Sequence, residues 1–120
     1  MKRILWWLCL GLLGAASAVV FADATNLLPK CKAYVEVGSD RSARDPVEAF
    51  TTDICVGEIS GLVRVGRLLP RHISSCKPPG VTRGQATRVV VAYIEAHPQR
   101  MNDDFTELAL EAMHDAWPCP

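Results

Sequence analysis

Residues 76–85 read Cys-Lys-Pro-Pro-Gly-Val-Thr-Arg-Gly-Gln, and this stretch sets the architecture of the whole chain. Pro78, Pro79 and Gly80 end whatever precedes them. Thr82 and Gln85 then stand at the spacing of a capping box, with Val81 placed as a hydrophobic staple. Beyond them Ala86, Val90, Tyr93 and Ile94 recur at helical spacing until Pro98 stops the run. His97 falls in the last turn, where a partial positive charge suits the helix dipole. A helix over about 82–97 is therefore predicted, entered from a cysteine-bearing loop.

The same kind of reading extends in both directions. Towards the C-terminus, a helix begins near Asn102, with Asp103, Asp104 and Glu107 in or near a first turn that favours negative charge. That placement explains the acidic pair more simply than general acid–base chemistry does. Phe105, Leu108, Ala109, Ala112, Met113 and Ala116 make its inner face, and Pro118 closes it. Towards the N-terminus, residues 66–80 carry Pro70, Pro78, Pro79 and Gly80 and read as a crossover loop. Before that loop, Asp45 as N-cap, Pro46 at N1 and Glu48 at N3 open another helix. Its apolar positions Val47, Phe50 and Ile54 lead into Gly57 and Gly61 on one stripe. Each interior glycine costs about 1 kcal/mol against alanine, so the pair is expected to be a packing face that another helix or a subunit approaches closely. A first helix is predicted over about 25–35, capped by Thr25, with Leu27, Leu28, Cys31 and Tyr34 or Val35 inward and Pro29 tolerated near its start. Residues 38–44, Gly-Ser-Asp-Arg-Ser-Ala-Arg, form a polar loop.

The first 22 residues are of another kind. Lys2 and Arg3 precede an apolar run from Ile4 to Gly14, and Val20-Phe21-Ala22 offers small residues to a signal peptidase, with a second candidate cut after Ala16-Ser17-Ala18. The run is short for a membrane span. The expected organisation is a cleaved signal peptide, 1–22, then a domain over 23–120 located in the periplasm without a stable membrane anchor. Cys9 leaves with the signal. The remainder holds 13 acidic residues and 11 basic ones, since Lys2 and Arg3 of the 13 fall in the signal, a net of −2. It has no basic stripe, which argues against a nucleic-acid partner.

Four cysteines remain, Cys31, Cys55, Cys76 and Cys119, and in an oxidising compartment they read as two bridges with three possible pairings. Helices of about 15 and 14 residues each run about 21–22 Å. An antiparallel pair thus returns Cys119 beside the start of the third helix, close to Cys76, and leaves Cys31 for Cys55. Chain entropy assigns these loops about 4 and about 3.5 kcal/mol, as upper values. The fold class expected is all-α, a small four-helix domain of two helical hairpins stapled by two disulfides.

Reactive chemistry finds little footing. His72-x-x-x-Cys76 is half a zinc site without a second pair, and oxidised cysteines supply no nucleophile. There is no Gly-rich phosphate loop and no nucleophile elbow. No catalytic residue, metal ligand or cofactor is assigned, and the chain is not expected to be an enzyme.

Taken together, Cys55-Val-Gly57-Glu-Ile59-Ser-Gly61, the 76–85 stretch, Val89-Val90, Tyr93-Ile94, His97-Pro98, Ala109-Leu110 and Ala116-Trp117-Pro118-Cys119 resemble the Rap/Tai family of type VI secretion amidase immunity proteins. The resemblance spans nearly all of residues 23–120. It departs at Glu58, where an aromatic is usual, at Asp103-Asp104, and over Glu36 to Arg44. It implies a periplasmic, all-helical homodimer that binds a peptidoglycan amidase effector and blocks its active-site cleft. Two exposed loops are the candidate partner contacts: Ser39, Asp40, Arg41 and Arg44 in one, and Arg67, Arg71 and His72 in the crossover. The alternatives are an acid-stress holdase, whose many carboxylates would protonate and unmask apolar surface, and a structural subunit that self-associates through Gly57 and Gly61.

Overall fold

The computed structural model describes residues 23–38 and 45–120. Four α-helices carry the architecture: α1 (Ala24–Val37), α2 (Pro46–Val65), α3 (Arg83–Ala96) and α4 (Phe105–Ala116), with short 3-10 turns at Gly66–Leu68 and Pro98–Arg100. No strand occurs among the described residues, only isolated bridges at Asp23–Asp104 and Ser75–Pro118.

Local chemistry accounts for the helix ends. Asp45 Oδ1 accepts from the amides of Val47 and Glu48 at 2.9 and 3.0 Å, with Pro46 in the first turn. Thr82 and Gln85 complete their capping box in both directions, at 2.8 and 3.2 Å. Two starts differ from expectation. Asp23, not Thr25, caps α1 by accepting from the Asn26 amide at 2.9 Å. A carboxylate one residue before the helix outcompetes a hydroxyl inside it, and the Thr25 hydroxyl instead donates to the Met101 carbonyl at 2.8 Å. The last helix starts at Phe105 rather than near Asn102, because Asp104 takes the cap position and accepts from the Glu107 amide at 3.1 Å. Pro29 lies beyond the first turn of α1, where its missing amide deprives the Thr25 carbonyl of its helical partner.

The two pairings are Cys31–Cys55 and Cys76–Cys119, with Cα separations of 5.4 and 4.8 Å. The first joins the middles of α1 and α2. The second ties the entry of α3 to the exit of α4, so that α4 returns alongside α3. The core between the helices is built from Leu27 and Cys31 of α1, Cys55 and Ile59 of α2, Val90 and Ile94 of α3, and Phe105, Leu108 and Met113 of α4, all essentially inaccessible. Burying a side chain of this size stabilises by about 1.5–3 kcal/mol, so this shared core and the two staples hold one small domain together.

Helix α2 turns a different face to the core than its sequence stripe suggests. Thr52, Cys55, Val56 and Ile59 are buried. Val47, Phe50 and Ile54 are 71, 67 and 41% exposed. Gly57 and Gly61 are exposed as well, and a Cβ on either would meet nothing within 4 Å. The disulfide decides the orientation: Cys55 must point at Cys31, which rolls the Val47–Gly61 stripe outward.

Candidate functional site

Two surfaces present themselves, and both grow out of α2. The first is its outward ridge. From Val47 through Phe50, Ile54, Gly57 and Gly61 the stripe continues into Val65, 41% exposed, and Leu68, 83% exposed. Residues three and four apart share a helix face, so this is one continuous apolar strip about 27 Å long from Val47 to Val65, low in the middle where the glycines lie. Among the described residues no other element packs against its glycines.

The second surface is the crossover that follows. Arg67, Arg71 and His72 are exposed on it, beside Leu68. It is held from several sides. The Ser75 amide donates to the Gly66 carbonyl at 3.1 Å, and the Cys76 amide to the Trp117 carbonyl at 2.7 Å. The Ser74 carbonyl accepts from His114 Nδ1 at 2.7 Å. Gly66 is required there, since a Cβ would overlap the Ser75 hydroxyl and crowd its carbonyl oxygen. Arg67 Nη2 reaches the Lys77 carbonyl at 3.4 Å, which orients its stem across the loop. The result is a projection fixed at both ends, with cations and one large apolar side chain on its outer side. Ser39, Asp40, Arg41 and Arg44 lie outside the described residues.

The densest polar cluster serves another purpose. The Arg100 guanidinium reaches Asp103 at 2.7 Å and pairs bidentately with Glu111, and the Tyr93 hydroxyl donates to Glu111 at 2.9 Å. The Tyr93 ring lies 4.3 Å from that of His97, whose Nδ1 bonds the Tyr93 carbonyl at 2.7 Å. Bonding to Arg100, more than the opposing burial, holds Glu111 below its ordinary carboxylate value. Burial, then the bond to Glu111, pushes the Tyr93 phenol up. Opposite charges and hydroxyls are mutually satisfied, so the cluster is a strut joining α3, the 97–104 turn and α4. Sequence reasoning missed it, although Arg100, Asp103, Glu107 and Glu111 stand at intervals of three, four and four. Glu58, where the resemblance departs, accepts from the Thr106 hydroxyl at 2.6 Å and braces α2 against α4.

Among the described residues no group of three His, Cys, Asp or Glu side chains is arranged to hold a metal ion, and Cys76 is committed to Cys119 rather than to His72. None of the described helices is long and apolar enough to cross a membrane. Such a surface can bind by shape: an apolar ridge and a braced cationic projection. Comparison with curated proteins and with solved structures returns no match. The sequence model of Rap1a immunity proteins matches residues 23–119, essentially the whole helical domain with both disulfides, and the chain belongs to that family.

Proposed function

We propose that the chain is an exported immunity protein that binds a peptidoglycan amidase delivered by a type VI secretion system and occludes its active-site cleft in the periplasm. Blocking a hydrolase requires a rigid shape in the cleft rather than a reactive group. The observation that carries this reading is the crossover over 66–79, braced through Ser75, Cys76 and His114 while it exposes Arg67, Leu68, Arg71 and His72. A loop already ordered in its bound form loses little entropy on docking. The mature protein, disulfides intact, serves as bait for periplasmic and secreted fractions. One hydrolase retained through a salt wash, and inactive in a one-to-one complex at neutral pH, is the expected outcome. A spread of weakly held clients, or none, overturns it in favour of a holdase or structural subunit.

The α2 ridge supports a homodimer as the state that acts. Two copies crossing antiparallel about a two-fold axis would bring Gly57 of each towards Gly61 of the other and Phe50 towards Leu68. Such an interface is self-complementary, as two-fold symmetry requires. The glycines let the two backbones close on one another, while the apolar side chains at either end leave water.

A further inference from the structure

Two clefts meet at the start of α3. One, of about 380 Å³, has Ile59, Val63, Val81 and Ala86 in its lining together with Arg64, Lys77 and Arg83. The other, of about 440 Å³, is lined by Tyr34, Val35, Gly38, Gly84 and Arg88. Thr82 and Arg83 line both, so the clefts adjoin. Their described residues supply four cations and no carboxylate, in a domain where acidic residues outnumber basic ones. Arg64, Arg83 and Arg88 are exposed and form no ion pair among the described residues. Lys77 is pinned to the same turn by its 2.7 Å bond to the Val81 carbonyl. The first turn of α3 adds amides without helical acceptors and the positive end of a dipole.

This arrangement is both cationic and longer than a single anion, and its apolar floor would go unused by free phosphate. We propose that the adjoining clefts dock an acidic peptide segment of a protein partner, with an apolar side chain over Ile59, Val63 and Ala86 and flanking carboxylates on Arg64, Arg83 and Arg88. The proposal deepens the immunity reading and rests on it only in taking that partner to be the effector. Complementary charge of this kind selects a partner and speeds its capture.

The test titrates the isotope-labelled mature protein, disulfides intact, with the acetylated peptide Asp-Glu-Leu-Glu-Asp and with Lys-Lys-Leu-Lys-Lys. The acidic peptide is expected to shift amides of 59–64 and 81–88, less so as salt rises. Arg64→Glu with Arg83→Glu should weaken it roughly tenfold or more, while Lys30→Glu with Lys32→Glu on α1, outside both clefts, changes it by less than about twofold. No shift, equal shifts with the lysine peptide, or equal losses in the two double variants would overturn the site. No hydrolase enters this experiment, so its outcome and that of the bait experiment stand apart.

Discussion

Helices α2 and α4 both carry an apolar stripe at helical spacing, yet the chain buries only one of them. On α4, Phe105, Leu108, Ala109, Ala112 and Met113 are no more than 2% exposed. On α2, Val47 and Phe50 are more than 60% exposed, and the buried face is the neighbouring one centred on Cys55. The periodicity of a stripe therefore says that a helix has an apolar face and nothing about which chain covers it. Where a helix has two such faces, the one not consumed by the fold is available to a partner.

The contrast is sharpest for the two phenylalanines. Phe105→Ala should cost about 3–5 kcal/mol by leaving a cavity, read from denaturant unfolding. Phe50→Ala should move monomer stability by no more than about 0.5 kcal/mol while weakening self-association in sedimentation. Equal stability losses at the two positions would erase the distinction between the stripes. Glycines give a second pair. Gly66→Ala should destabilise by about 1–3 kcal/mol, because the new Cβ meets the Ser75 hydroxyl and its backbone carbonyl. Gly61→Leu enters open space among the described residues and should leave the fold intact or raise stability by about 0.5–1 kcal/mol through helix propensity, yet separate the proposed dimer. A Gly61→Leu protein that dimerises as before removes the ridge from the interface. The smallest effect belongs to the second hairpin. Glu111 is depressed in the folded state, so its contribution is present above its unfolded value of 4.5 and is lost as pH falls through the folded one. Melting temperatures of the parent and of Glu111→Gln should differ at neutral pH and converge under acid; a constant difference would mean the strut acts by shape alone.

Much of the fold was legible because its signals are local. Asp45-Pro46 and Thr82-x-x-Gln85 announce helix starts through atoms within three residues of one another, and helix lengths alone brought Cys119 back to Cys76. Which face of α2 enters the core was left open between another helix and a subunit, although a signal existed. Cys55 had already been assigned to Cys31, and a bridged cysteine points inward, taking Thr52, Val56 and Ile59 with it. Two apolar faces competed, and counting hydrophobic positions could not rank them. The cationic clefts escaped for another reason. Arg64, Lys77, Arg83 and Arg88 are scattered along the chain and come together only when the crossover folds back on the first turn of α3. Arg67, Arg71 and His72 were singled out because they share one short loop.

The hydrogen bonds at the front of α1 carry a consequence for assembly. Ala24 and Thr25 donate to the carbonyls of Asp103 and Met101, partners 79 and 76 residues further along the chain. In a polypeptide that emerges N-terminus first, α1 waits for the turn before α4 before its end is satisfied. In an exported chain threaded in that order, Cys31 and Cys55 would meet an oxidant before Cys76 or Cys119, and the bridge between them is the native one. Such an order would guard the first bridge against scrambling, and the docking of residues 23–25 onto 101–103 would leave only α4 and the Cys76–Cys119 bridge to follow.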